Sequence, residues 1–202
     1  MSHFLMGVVV PRDEVKDYDF ESYINGMMEK YSENLEVEGY IDVTKEEVLK
    51  KYEEHCQDKS ESVANFWEDW SGGKLDEEGN GLSTYNPDSK WDWYVIGGRW
   101  DGAIKGDRIE STDGGFNFGD EHHEVTNNLT TVKDLLELIK SGVQPSPFGI
   151  VSSGGEWYEK GEMGWFGCVK DEKEQDDHNK ELIAVLEVEN PDDWVVGLDC
   201  HI

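Results

Sequence analysis

Basic residues are scarce in this chain. Against 46 Asp and Glu its 202 residues include only 18 Lys and Arg, for a formal net charge of −28. Only three of them are arginines, Arg12, Arg99 and Arg108. Long-range repulsion from such a charge argues against direct binding to DNA, RNA or an anionic membrane. Cysteine is thin as well. Cys56, Cys168 and Cys200 stand in unrelated settings with no Cys-x-x-Cys pair, which argues against a disulfide framework or a cysteine zinc site and fits a reducing cytoplasm. Long apolar runs are missing. The stretch 4–10 is seven residues long and meets Pro11, too short for a membrane span and without the basic start of a signal peptide.

Aromatic residues are plentiful. Eight Trp, eight Tyr and seven Phe give more apolar surface than a solvated acidic coil would carry, so the chain folds. The length suits a single acidic domain over 1–202, with room for a sub-lobe over 11–84.

The pattern opens and closes on strands. Phe4, Met6, Val8 and Val10 alternate with His3, Leu5, Gly7 and Val9. Near the other end Trp194, Val196, Leu198, Cys200 and Ile202 alternate with Val195, Gly197, Asp199 and His201, each set defining one face of a strand. Helix is expected around 21–31. A capping box at Thr44 and Glu47 starts a helix through Val48, Tyr52 and Cys56 that Gly72-Gly73 ends. Another helix is expected over 131–141, with Gly142 as a left-handed cap, and a third over 173–188, before Asn190-Pro191. Gly97-Gly98 reads as a hairpin turn between strands 91–96 and 99–104. Short strands are expected at 148–151, 156–158 and 163–169. The fold class is α+β, a mainly antiparallel or mixed sheet with about three helices packed on one side of it.

Two stretches concentrate chemistry. Residues 85–100 hold three Trp and two Tyr, with Arg99 set between Gly98 and Trp100. A planar cation beside aromatic faces can stack on a base or fork onto a phosphate, and glycines let a ligand approach the backbone. Lys90, Trp91, Trp93, Tyr94, Arg99 and Trp100 are therefore candidate ligand-binding residues. Residues 155–167 add four aromatics and three glutamates among glycines. There Trp157 and Trp165 are candidate stacking walls, and Glu162 is a candidate acceptor for base or ribose donors. The competing reading of both stretches is core packing, with Arg99 in a structural ion pair.

Other patterns carry less. Asp120-Glu121-His122-His123-Glu124 lacks metal-ligand spacing and reads as an exposed acidic loop. No dinucleotide, phosphate-loop or nucleophile-elbow motif occurs. Hence no cofactor and no metal is assigned. His3, Asp199 and His201 form an alternative acid–base set if the two terminal strands are neighbours.

The chain resembles a family of small uncharacterised proteins of tailed bacteriophages and prophages. The resemblance rests on Tyr85-Asn86-Pro87, Lys90 through Trp100, Glu156 through Gly167 and the closing Asp199-Cys200-His201-Ile202. Shorter matches lie at Ser2-His3-Phe4, 33–37, 44–47 and 171–173, while 106–130 carries none. It implies the cytoplasm of an infected bacterium as the setting and, by analogy, a counter-defence role. The leading expectation is a non-catalytic protein that binds and sequesters a nucleotide-derived small molecule, such as a cyclic nucleotide or an ADP-ribose-type immune signal. One alternative is an enzyme that degrades such a signal. Another is an acidic interaction protein or DNA mimic that blocks a host DNA-binding enzyme. The partners expected are thus a nucleotide-like ligand and, for the last reading, a host protein. No nucleic acid or membrane is among them, and a homo-oligomer is left open.

Overall fold

The computed structural model describes residues 2–15, 19–57, 60–107, 124–142 and 146–202. In chain order the first elements are β1 (His3–Val10), α1 (Phe20–Met28), β2 (Tyr40–Val43), α2 (Lys45–His55), α3 (Val63–Ser71), β3 (Lys74–Leu75), β4 (Gly81–Ser83) and β5 (Trp93–Ile96). They continue with β6 (Leu129–Thr131), α4 (Val132–Ser141), β7 (Gly149–Val151), β8 (Trp157–Glu159), β9 (Glu162–Met163), β10 (Val169–Lys170), α5 (Gln175–Glu187) and β11 (Trp194–His201). The class is α+β, with five α-helices among the described residues rather than about three. No helix among them is long and apolar enough to cross a membrane. The chain divides into two compact units, Met1–Glu33 with Asp88–Ile202, and Asn34–Pro87.

The first unit is built on a six-stranded sheet in the order β5-β11-β1-β7-β8, with β6 also paired to β11. β1 and β11 run antiparallel over eight residue pairs, from His3 opposite His201 to Val10 opposite Trp194. β7 joins β1 in parallel, and the other pairings are antiparallel. Alternation along the strands then sorts the core. Phe4, Met6, Val8 and Val10 join Val196, Leu198 and Cys200 under Phe20, Ile24 and Met28 of α1. On the opposite face Val9, Ile150 and Val195 pack under Leu135 and Ile139 of α4 and Leu182 and Leu186 of α5. Helices thus cover both faces, where the sequence reading puts them on one. The reason is that seven of the eight residues of β1, and seven of β11, are buried, so neither face of the central pair is left to water.

Gly7 and Gly197 face each other in the middle of that pair. A Cβ on Gly197 would meet Ile104 at 2.9 Å, and one on Gly7 would meet Val195 at 3.0 Å. The absent side chains make a recess that Ile104, fully buried, fills. Ile104 belongs to a short 3-10 turn, Ala103–Lys105, and this corrects the expected hairpin. The chain leaves β5 at Gly97, turns through a second 3-10 segment, Gly98–Trp100, and forms no return strand over 99–104.

Local signals mostly act where they were read. Thr44 and Glu47 form the reciprocal capping box of α2. Thr131 caps α4 by accepting from the Asp134 N–H, and Gly142 closes it with φ 75°. The periodicity that reads as one helix from Thr44 onward is two, because α2 ends at Cys56 and Ser62 caps a new start.

In the second unit, α2 and α3 accompany an antiparallel sheet in the order β2-β4-β3. Tyr52 of α2 meets Phe66 of α3 edge-on at 5.4 Å. Trp67 lies so close to β4 that a Cβ on Gly81 would approach its ring to 2.6 Å.

The Gly7–Gly197 recess predicts an asymmetric cost. Gly197→Ala drives a methyl into Ile104 and lowers stability by about 1–3 kcal/mol, whereas Ile104→Ala empties the recess and costs about 2–5 kcal/mol. Urea midpoints at constant m-value measure both, and a neutral Gly197→Ala would contradict the close fit.

Candidate functional site

β5, β11 and β1 are neighbours, so one face of their ends carries Trp93, His201, Asp199 and His3 together. His3 lies opposite His201 and diagonal to Asp199. Its Nδ1 sits 3.0 Å from Oδ1 of Asp199. The His201 ring stacks on Trp93 with centroids 4.7 Å apart and meets the His3 ring edge-on at 4.9 Å. Asp199 is fully buried. Its second oxygen, Oδ2, accepts the backbone N–H of Arg99 at 2.8 Å.

The Gly97-Gly98-Arg99 sequence explains that bond. Gly98 has φ 51°, and a Cβ there would lie 2.5 Å from Asp199 Oδ2. Gly97 has φ 76°, and its Cβ would strike the Asn128 amide at 2.4 Å. Only glycines let the backbone turn this tightly and bring the next N–H onto a buried carboxylate. Arg99 therefore serves the cluster through its main chain. Its guanidinium Nε is buried without a hydrogen-bond partner.

An ionised carboxylate only accepts, so Nδ1 of neutral His3 carries the hydrogen and Nε2 holds the lone pair. The His3 ring also lines an open groove of about 260 Å³, with Trp100, Phe148, Lys160, Gln175 and His178 among the walls. The indole N–H of Trp100 is buried and has no acceptor. Lys160 reaches Glu172 at 2.5 Å, and Gln175 donates to Ser146 and Asn179 at 2.9 Å.

Burial holds the pKa of His201 below its ordinary value, and the neighbouring His3 pushes the same way against the Asp92 carboxylate. That carboxylate is 3.6 Å from Nδ1, and neither ring nitrogen of His201 makes a hydrogen bond. Burial also lowers His178, whose Nε2–H donates to the Pro147 carbonyl at 3.0 Å. The Cys200 thiol is raised by burial and by Asp199, so it stays protonated. Among the described residues no group of three or more His, Cys, Asp or Glu side chains is placed to hold a metal ion.

The other candidate residues do not share one groove. Trp91, Trp93 and Tyr94 line one of about 310 Å³ against α1, where the Trp91 indole donates to the Met28 carbonyl and the Tyr94 hydroxyl to Asn25. Burial raises the Tyr94 pKa above its ordinary value. Lys90 and Trp157 line another, of about 330 Å³. There Glu159 takes both, accepting from Lys90 Nζ and from Trp157 Nε1 at 2.7 Å. Trp100 alone of the aromatic candidates borders the His3 groove. Glu162 is exposed and faces Lys170 at 3.4 Å. The side chain of Trp165 lies outside the described residues, as do Asp120, Glu121, His122 and His123.

His178, Lys160 and Gln175 were missed in the sequence. His178 had a signal: it begins the stripe His178, Leu182, Val185 and Leu186, the buried face of α5. No protein-family profile, curated protein or solved structure matches the chain.

The two depressed histidines make stability depend on pH. Unfolding lets His178 and His201 regain their ordinary pKa near 6.5, so the unfolded chain binds more protons. Stability is fully retained above about pH 6.5 and is lost as the pH falls from there through the lowered folded values. The slope is at most about 1.4 kcal/mol per pH unit per group. His178→Gln keeps a donor for Pro147 and removes the titration. Its melting temperature should fall less than that of the parent between pH 7 and pH 5.

Proposed function

We propose that this protein binds a small nucleotide-derived anion in the groove beside His3 and so withdraws it from an infected host cell. The observation that carries the reading is a groove on which Trp100, Lys160 and His3 meet, with the Trp100 N–H buried and unpartnered behind it. A lysine in one recess of a chain with a net charge of −28 suits an anionic guest, since the surrounding surface repels anions elsewhere. Phe148 and the Trp100 ring offer flat apolar area for a base. A groove of about 260 Å³ lies just under the usual span of ligand pockets and suits a molecule of mononucleotide size. The resemblance to phage proteins supplies the setting, in which a host immune signal of this chemistry is the natural guest.

Contact with a host protein is the second reading. It draws on the second unit, where Ile41, Trp70 and Tyr85 are each about half exposed on a surface that is predominantly acidic.

Isothermal titration with cyclic mononucleotides and ADP-ribose tests the first reading. At least one should bind, and Lys160→Ala should weaken it about tenfold or more, the range of a charge-assisted hydrogen bond of about 1.5–3 kcal/mol. Glu162→Ala, at the exposed pair with Lys170, should leave affinity unchanged. No heat and no thermal shift across the panel would sink the proposal.

A further inference from the structure

The geometry points to a hydrolytic role for the same groove: His3, held by Asp199, acts as the general base that sends water onto the phosphorus of a bound phosphodiester. This inference rests on the groove being the ligand site.

Three placements carry it. The Asp199 carboxylate is fully buried and is committed through both oxygens, one to His3 Nδ1 at 3.0 Å and the other to the Arg99 N–H at 2.8 Å. A carboxylate fixed in this way sets the tautomer and the plane of the imidazole, and it stabilises the imidazolium that forms when the ring takes a proton. His3 also lines the groove, and Nε2 is the ring nitrogen that Asp199 leaves unengaged. Finally, Trp93 and His201 pack edge-on against His3 at 5.5 and 4.9 Å, so the ring is held by packing as well as by hydrogen bonding. A recess for an anion needs no such device on one of its walls. A recess in which a proton moves does.

Water is the nucleophile. The Cys200 thiol is fully buried on the other face of the sheet. In the reaction the water oxygen forms a new bond to phosphorus while one water proton passes to His3 Nε2. The bond from phosphorus to the leaving oxygen breaks, and that oxygen takes the proton back from His3. Phosphodiester and water thereby become phosphomonoester and alcohol, and His3 returns to its starting state. Lys160 is the cation that lines the groove to meet charge on the non-bridging oxygens. His3 is the catalytic residue, and Asp199 and the Arg99 main chain are positioning groups.

The test incubates the full chain with the cyclic mononucleotides used for titration and separates the recovered nucleotide by chromatography. A ring-opened phosphomonoester is expected. His3→Gln should lower the rate about 10²- to 10⁴-fold, the usual contribution of a general base, while titration still registers binding. Asp199→Asn should lower kcat and displace the acidic limb of the pH–rate profile to lower pH, which a merely structural role would not move. His3→Asn, with a shorter side chain, serves as the second variant, and retained binding reports that each variant is folded. Nucleotide bound and recovered intact by the parent chain overturns the hydrolytic role and leaves the binding site standing. Neither binding nor product overturns both. Turnover that survives His3→Gln and His3→Asn at the parent rate assigns the chemistry elsewhere and overturns the role of His3.

Discussion

The antiparallel pairing of β1 with β11 is the constraint on which the first unit depends. Eight consecutive residue pairs join two segments nearly the whole chain apart, and both strands are buried along almost their full length. Closing so long a loop has a large entropic cost, which is offset by apolar burial on both faces at once. Every other strand of the sheet is placed by this pair. β5 and β6 add to different stretches of β11, and β7 adds to β1. A shift of one residue in the register would exchange the two faces, sending Phe4, Met6 and Val8 against the recess meant for Ile104.

The same register builds the candidate site. Apolar side chains occupy one face of β1 from end to end, but on the other face the apolar run gives way at His3, Asp199 and His201. Burying Asp199 there removes its hydration, and it persists because a ring N–H and a main-chain N–H replace the lost water. The turn that delivers the main-chain N–H needs two glycines at positive φ, so a glycine pair, a carboxylate on the last strand and a histidine on the first form one unit. The conformational demands of that unit account for Gly97-Gly98-Arg99 better than direct ligand contact does.

The capping box at Thr44, the cap at Thr131 and the left-handed Gly142 were legible because each depends on neighbours within four residues. The alternating faces of β1 and β11 were legible for the same reason, and so was the set His3, Asp199 and His201, conditional on the two strands meeting. The aromatic stretches were legible only as concentrations of tryptophan. Trp91, Trp157 and Trp100 are candidate walls of one site, but Trp91 lines the groove against α1, Trp100 borders the groove beside His3, and Glu159 engages Trp157 and Lys90 in a third. Lys160, Gln175 and His178 had no motif to mark them as neighbours of His3, since they approach it from β8's turn and from α5.

By itself, then, the sequence determined the fold class, most helix ends, the faces of the two long strands and an acidity that disfavours polyanionic partners. These follow from local sterics, from hydrogen bonds within a turn and from net charge, none of which requires knowing what lies across the sheet. Tertiary structure alone decided that the terminal strands pair, that helices cover both faces, that Arg99 acts through its backbone, and that His3, Trp100 and Lys160 share a groove while Trp91, Trp93 and Trp157 line others. Those outcomes depend on register and on burial across long sequence separations, where a single carboxylate or a missing Cβ selects which side chains meet.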